Sequence, residues 1–341
     1  MQRRFGFLLI VSLAAITVAI AARGHADESE KLGLLVIAHG SRSPEWNRRV
    51  LEFGQRVAEK AAEDGTFKAV RIAMLEAVKP DVPSAVVELE SEGCQRIIAV
   101  PLFVAPSGHS HFDVPAVLGI YSSASTRHHL AEEGLRVARP RVPIVLTETL
   151  AQGQLLQNAA LDQVRKLSKD PSREALVILA HGDPDHHPLV DKLIRQVALY
   201  CCGQMGITYA DWAYLGVGQQ YHSQGLPAIE KALEHRERVL VIGLYVATSA
   251  AELHRRALRL DTAGTPADPL AGRDVIFSEE TIVGYPGCVD WVLEVAREAA
   301  AGLEACGHHS HARSEGAASA GFVQSLVTVQ TSRFGEESGR D

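Results

Sequence analysis

Apolar runs alternate with amphipathic stretches along the chain from residue 31 onward. The amphipathic stretches at 44–65 and 82–93 repeat their apolar residues with the helical period and end in glycine, so both are predicted helices. The apolar runs are rich in valine and isoleucine, and their alternation with helices predicts a parallel sheet covered on both faces. The predicted strands of this first region are residues 32–40, 69–77, 96–105 and 142–150.

The same pattern occurs a second time further along the chain. Residues 175–183, ALVILAHGD, parallel residues 33–41, GLLVIAHGS, and residues 239–249 parallel residues 97–107. Both pairs are 142 residues apart. Because two separate strands share one offset, we predict an α/β fold with two homologous, parallel-sheet halves of Rossmann type. The predicted halves are residues 31–150 and 172–304, and the second contains further helices at 189–206, 226–239 and 287–305 and a strand at 274–282.

The N-terminal segment does not fit this fold. Two arginines precede the apolar residues 5–22, and small residues stand at Gly24 and Ala26. This order is typical of a secretory signal peptide. We therefore predict that residues 1–26 are cleaved off and that the protein is exported to the periplasm. Because the apolar run is nearly long enough to span a bilayer, the alternative is an uncleaved membrane anchor.

The C-terminal residues 305–341 change in composition. They are small and polar and contain His308, His309 and His311 close together, so they predict a flexible tail. Histidine-rich tracts bind metal ions, which makes this tail a candidate for metal capture.

Composition narrows the classes of function. The formal net charge of −7 and the aromatic content of 6% argue against a nucleic-acid-binding surface. The motif G-x-x-x-x-G-K-[ST] does not occur, so no ATP-binding loop of that type is predicted. The five cysteines form no C-x-x-C pair and predict no metal cluster, and their odd number leaves at least one unpaired within a monomer.

Three predicted strands of the first half end in residues that bind metal ions. His39 and Gly40 follow the first strand, Glu76 ends the second, and Gly108 and His109 follow the third. The carboxyl ends of parallel strands meet at one edge of a sheet, where ligands bind. Two imidazoles and a carboxylate suit a divalent transition metal and leave positions for an exchangeable ligand. We therefore predict one site that contains His39, Glu76 and His109.

The second half keeps only part of this set. His181 stands in the place of His39, but Ala251 replaces the second histidine and no carboxylate stands at the counterpart of the glutamate. His254, three residues after that alanine, is at best a partial substitute. The first half is therefore predicted to carry the working site.

Three short motifs at the strand ends resemble those of one known family. HGSR follows the first strand, LEAVKP the second and PLFVAPSGHSHFDVP the third. In these positions the chain is similar to the class II tetrapyrrole chelatases, and most of all to the sirohydrochlorin cobaltochelatases of the CbiX/SirB type. The resemblance is strong over residues 33–120 and, through the repeat, weak over residues 173–300.

This resemblance implies a fold and an activity. The two α/β halves would face each other across a central cleft. The protein would insert Co²⁺, or Fe²⁺ or Ni²⁺ as in relatives, into sirohydrochlorin or a similar tetrapyrrole without ATP or an organic cofactor. The metal ion is then a substrate, His39 and His109 are its ligands, and Glu76 is the active-site carboxylate.

The chemistry of the predicted residues suits that activity. A neutral imidazole binds a metal ion and also accepts a proton near neutral pH, and a metal held by few protein ligands can be passed on. Because the macrocycle carries many carboxylates, Arg42 and Lys79, together with Ser41, are predicted to bind the substrate. Asp113 and Pro115 are predicted to begin the next helix.

Two features depart from the family pattern. The first is the predicted export, since family members that make cobalamin or sirohaem act in the cytoplasm. The second is an excess of histidines, which are predicted to be ordinary surface residues: His111, His128, His129, His186 and His187.

Two other functions stay open at the level of the sequence. The first is an exported, non-catalytic protein that binds a metal or a tetrapyrrole in the same cleft. The second is phosphoryl transfer to a histidine, but histidine phosphatases have Arg-His-Gly after the strand, whereas Ala38 precedes His39 here. Association into an oligomer is compatible with either.

Overall fold

The structure, a computed structural model, describes residues 31–76, 78–216, 220–260 and 268–308. The strands and helices belong to the compact unit that begins at Leu32. The predicted signal peptide at 1–26 and most of the predicted tail at 305–341, including His309 and His311, lie outside the described residues. No helix within the described ranges is long and apolar enough to cross a membrane.

The first half contains a four-stranded parallel sheet with the strand order β2-β1-β3-β4. Its central strand β1 is buried from Gly33 to Ala38, as expected of a strand that is covered on both faces. The strands are β1 (Leu32–Ala38), β2 (Phe67–Met74), β3 (Arg96–Pro101) and β4 (Ile144–Leu146).

Helix α1 (Pro44–Asp64) shows why the chain turns directly after β1. The Ser43 hydroxyl accepts a hydrogen bond from the backbone N–H of Trp46, and Pro44 begins the helix with a suitable φ angle. Gly65 ends it in the left-handed conformation at φ 69°. The other helices of this half are α2 (Val82–Ser91), α3 (Val114–Val117) and α4 (Ala124–Glu132), and a π-helical turn spans His109–Asp113.

The second half contains a four-stranded parallel sheet of the same strand order, β6-β5-β7-β8. The predicted α/β class with two parallel sheets is therefore confirmed. Its strands are β5 (Glu174–Ala180), β6 (Ala210–Tyr214), β7 (Arg238–Leu244) and β8 (Val275–Phe277), and its helices are α6 (His187–Met205), α7 (Leu226–His235), α8 (Ala250–Leu260) and α9 (Gly287–His308). Helix α5 (Leu155–Leu167) connects the two sheets, and a second π-helical turn spans Tyr221–Gly225.

One large hydrophobic core joins the halves. It takes Leu34 and Val36 from β1 and Leu176 and Ile178 from β5, and helices α1, α5, α6 and α9 also contribute side chains. Polar contacts cross the same boundary, since Arg49 of α1 donates a hydrogen bond of 2.9 Å to the carbonyl oxygen of Ala247. The shared core holds the carboxyl ends of both sheets in one fixed arrangement. Among the side chains that the structure describes, four cysteines are free thiols: Cys94, Cys201, Cys202 and Cys288.

Candidate metal-handling site

The carboxyl edge of the first sheet brings the three predicted residues together. His39 follows the central strand β1, Glu76 follows β2 on one side, and His109 opens the π-helical turn after β3 on the other side. This edge includes the point between β1 and β3 where the connections leave in opposite directions, which is where open α/β sheets bind ligands.

Gly40 couples His39 to Glu76 through the backbone. Its φ is +91°, and a Cβ atom at this position would lie 2.1 Å from the Glu76 carbonyl oxygen. The Glu76 N–H donates a 2.9 Å hydrogen bond to the His39 carbonyl, which extends the pairing of β1 and β2 past the strand ends. Glycine is therefore required here for both its conformation and its lack of a side chain.

The three side chains meet at hydrogen-bonding distance. His39 Nε2 lies 3.3 Å from His109 Nε2 and 3.2 Å from Glu76 Oε1. The two imidazoles are nearly perpendicular, with ring centroids 4.6 Å apart. Phe103, which is almost fully buried, supports both rings with centroid distances of 6.4 Å to each.

Hydrogen bonds at the opposite ring nitrogens determine the tautomers of both histidines. His39 Nδ1 lies 2.9 Å from the Gly40 carbonyl oxygen, and His109 Nδ1 lies 2.8 Å from Asp113 Oδ2. Both partners are acceptors, so each Nδ1 carries the proton and each neutral ring presents a lone pair at Nε2. Two lone pairs and a carboxylate oxygen therefore converge, an arrangement that is stable only with a proton or a cation among them.

Asp113 makes a contact with the site that the sequence did not predict. It stands directly before α3, as expected, but its side chain makes no capping hydrogen bond to that helix. The carboxylate is buried, with 9% of its side chain exposed, and it accepts the hydrogen bond from His109. This bond is the main reason that the pKa of His109 is raised above its ordinary value. The i, i+4 spacing of the two residues was the available signal.

His181 of the second half lies close enough to His39 and His109 for their charges to influence it. His181 follows the central strand β5 as His39 follows β1, and its Nδ1 lies 2.8 Å from the Gly182 carbonyl oxygen. Although part of its surface is exposed, its surroundings desolvate the ring and lower its pKa, and the nearby His39 and His109 add to this effect. Sequence reasoning identified His181 as a counterpart but assigned it no role. The repeated His-Gly after each central strand was the signal.

His254 does not join this site. The Tyr221 hydroxyl lies 2.7 Å from its Nδ1, Asp268 Oδ2 lies 3.2 Å from its Nε2, and the ring stacks on Phe277 with a centroid distance of 4.3 Å. Both ring nitrogens have partners and the residue is buried, so the role of His254 is structural. The suggestion that His254 partly replaces the second histidine in this half is wrong.

The predicted substrate-binding residues have different surroundings. Arg42 is exposed beside the site. Ser41 is half-buried, and its hydroxyl accepts a 3.0 Å hydrogen bond from the Ser43 N–H. Lys79 is exposed but forms an ion pair with Asp81, the residue that caps α2. In the described ranges, no group of three or more His, Cys, Asp or Glu side chains forms a ready-made metal site.

Comparison with solved structures defines the class of fold. SirB from Bacillus subtilis aligns with TM-scores of 0.54 for the structure described as a sirohydrochlorin chelatase in complex with cobalt and 0.56 for a structure with Fe³⁺. The sequence identity is 16%, and the alignments cover 81% of this chain and 97% and 98% of SirB. This protein therefore has the two-sheet α/β fold of that chelatase.

Comparison at the level of sequence identifies the family. The CbiX family model matches residues 33–167. The sirohydrochlorin cobaltochelatase of Methanococcus maripaludis is 34% identical over 88 residues, which are 26% of this chain and 58% of that protein. The sirohydrochlorin cobaltochelatase of Saccharolobus solfataricus is 32% identical over 102 residues, which are 30% of this chain and 75% of that protein. The chain belongs to the CbiX family, and it spans somewhat more than half the length of the methanococcal relatives that it matches.

Proposed function

We propose that this protein inserts a divalent metal ion into sirohydrochlorin or a related tetrapyrrole. The observation that carries the proposal is the convergence of His39 Nε2, His109 Nε2 and Glu76 Oε1, with both ring tautomers set by hydrogen bonds. Membership of a family whose relatives are named sirohydrochlorin cobaltochelatases supports the choice of substrate.

The two histidines would hold the incoming metal ion, which is a substrate of the reaction. Two nitrogen ligands of one tetrahedral ion at about 2.1 Å are separated by about 3.4 Å, close to the observed 3.3 Å between the two Nε2 atoms. Only two protein ligands leave the other positions to water and then to the pyrrole nitrogens. Such a site releases its ion, whereas a closed four-ligand site retains it.

Glu76 would receive a proton from the macrocycle. Insertion of one divalent ion into the free macrocycle releases two pyrrole N–H protons, so charge and atoms balance only if a base accepts them. The carboxylate is 24% exposed, so it can accept a proton and return it to solvent. His181 of the second half, whose Nδ1 lies against the Gly182 carbonyl oxygen and whose Nε2 is therefore unprotonated in the neutral ring, is a second candidate acceptor.

Substrate binding is assigned to the exposed edge of the site. Arg42, which has no ion-pair partner among the described residues, presents a cation for the carboxylates of the macrocycle, and Ser41 lies next to it. Lys79 is the weaker candidate because its ammonium group already pairs with Asp81.

Cobalt is the preferred metal in this proposal, with Fe²⁺ and Ni²⁺ as alternatives that imidazole ligands also accept. The reaction is proposed to need neither ATP nor an organic cofactor. We also propose that residues 1–26 direct export and are removed, which mass spectrometry of the protein isolated from its host would test directly.

The test is anaerobic insertion of Co²⁺ into sirohydrochlorin, followed by absorbance without added ATP. We expect His39→Ala and His109→Ala each to lower the rate by about 100-fold, and Glu76→Gln to lower it by about 100-fold through loss of the proton acceptor. His128→Ala is the matched control, since His128 is an exposed histidine of α4 paired with Glu132. A wild-type rate equal to the protein-free rate, with metal or macrocycle still bound, would replace this proposal with the carrier function.

A further inference from the structure

Two histidines outside the site of His39, Glu76 and His109 lie beside each other across the boundary between the halves. His111 belongs to the π-helical turn after β3, and His186 lies directly before α6. Their rings are parallel to within 9°, and the centroids are 5.7 Å apart. The sequence predicted both as unrelated surface residues, because 75 positions separate them along the chain.

Each ring has its Nδ1 atom held by an oxygen acceptor. His111 Nδ1 lies 3.2 Å from the Ser107 carbonyl oxygen, and His186 Nδ1 lies 3.1 Å from Asp183 Oδ2. Each Nδ1 therefore carries the proton in the neutral ring, and each Nε2 presents a lone pair. Within the described part of the chain, neither Nε2 has a hydrogen-bond partner.

The contact of Asp183 with His186 is the kind that prepares a metal ligand. Histidines that bind metal ions usually donate their second N–H to a carboxylate or a carbonyl, which orients the ring and increases its basicity. Both types of contact are present here, one on each ring. By comparison, the surface residue His128 also contacts a carboxylate, with its Nε2 3.3 Å from Glu132 Oε1, but among the described residues no second histidine ring stacks on it.

We propose that His111 and His186 form a second metal site, which binds one divalent first-row ion such as Co²⁺, Ni²⁺ or Zn²⁺ between the two halves. Imidazole nitrogen suits these ions, and water would complete the coordination. Two imidazole ligands of one ion lie about 3.4–4.2 Å apart, so the rings must approach each other. His111 is exposed, so its ring can turn toward His186 if it gives up its contact with the Ser107 carbonyl oxygen, whereas His186 is held by Asp183.

The second site adjoins the first one. Asp183 also accepts a hydrogen bond of 3.4 Å from the N–H of Gly108, the residue before His109. An ion bound by His111 and His186 is thus held beside the ligand His109 by only two protein ligands, which suits capture and transfer. Binding at the second site does not depend on the proposed insertion activity.

The test measures the number of Co²⁺ ions bound per chain by equilibrium dialysis of the full-length protein. All variants carry His39→Ala and His109→Ala, so the first site is absent and the tail histidines are common to every sample. We expect His111→Ala and His186→Ala each to remove one ion, and the two substitutions together to remove the same single ion. His128→Ala is the matched control and is expected to remove none. Asp183→Asn is expected to raise the dissociation constant of this ion by about 10-fold.

Two results would overturn the second site. Either unchanged stoichiometry in both His111→Ala and His186→Ala, or the loss of two ions in the combined variant, would show that the two rings do not share an ion. Circular dichroism of each variant verifies folding, and the exposed His111 ring can be removed without disturbing the core. Insertion activity of the wild-type protein is measured separately. A failure of the second metal site can therefore be distinguished from a failure of the proposed insertion activity.

Discussion

At the scale of single residues, the site depends on which nitrogen of each imidazole carries the proton. The Gly40 carbonyl and the Asp113 carboxylate accept the Nδ1 protons of His39 and His109. Both Nε2 lone pairs are then directed at one place beside Glu76. The contact behind each ring, rather than the ring alone, makes these histidines suitable metal ligands.

Asp113→Asn is expected to lower the pKa of His109 toward 6.5 in the metal-free protein. The carboxylate of Asp113 favours the imidazolium and raises this pKa above its ordinary value, whereas the amide has a similar size and no charge. The stabilisation from this contact is complete below about pH 6.5, where the unfolded chain also protonates the ring. It is lost as the pH rises through the raised pKa. NMR titration of the His109 ring protons measures the change.

His181 is the internal reference for that titration. Its pKa is lowered by desolvation, so it is expected to titrate below 6.5 in both the wild type and the variant. If His109 titrated at the same pH with and without the Asp113 carboxylate, the role assigned to Asp113 would be wrong.

At the scale of elements, the site depends on how β1 and β2 continue past their ends. Gly40 turns the chain with φ +91° while its backbone touches the Glu76 carbonyl. The edge of the sheet thus positions His39 and Glu76 as one unit, and α1 starts three residues later at its Ser43 cap.

Gly40→Ala is expected to destabilise the protein by about 3 kcal/mol or more, because strain in φ adds to the overlap with the Glu76 carbonyl. Gly65→Ala is the control, since Gly65 also has a positive φ of 69° but no atom within 4 Å of the added Cβ. It should cost only about 1 kcal/mol. Urea unfolding compares the two, and equal costs would show that the contact with Glu76 is unimportant.

At the scale of the whole molecule, the common core makes the two halves one cooperative unit. Arg49 of α1 reinforces it, with hydrogen bonds of 2.9 Å to the Ala247 carbonyl and to Glu252 Oε2 of the second half. The side chains of Arg49 and Glu252 are largely shielded, with 28% and 15% exposed.

Arg49→Met is expected to lower the free energy of unfolding by about 1–2 kcal/mol, because it leaves the carbonyl of the buried Ala247 and the partly buried carboxylate of Glu252 with fewer partners. Arg48→Met is the matched control, since the ion-pair partners of Arg48 in the described part of the chain are the exposed Glu45 and Glu52 of its own helix. A change below about 0.5 kcal/mol is expected there. Thermal unfolding should show a single transition in each protein, and two separated transitions would contradict a shared core.

The strands that are buried along their length leave apolar runs in the sequence and were predictable. The strands that are mostly not buried leave no such run and were missed or misjudged in length. The central strands β1 and β5 are buried along nearly their whole length and are visible as apolar runs. Strand β6 was not predicted because it lies at the edge of its sheet, where Ala213 alone is fully buried. Strand β4 is only three residues long, within the longer predicted run at 142–150. A strand with a single buried residue leaves no apolar run in the sequence, so the pattern does not reveal it.

The sequence by itself determined the α/β class, the alternation of strands and helices along the chain and the meeting of His39, Glu76 and His109, because parallel strands deliver their carboxyl ends to one edge. Only the tertiary structure decided what surrounds these residues. The buried partner Asp113 and the approach of His181, together with the pairing of His111 with His186, depend on how loops pack and how the halves join. Such contacts link residues far apart in the chain through side-chain geometry, which local patterns of hydrophobic and polar residues do not encode.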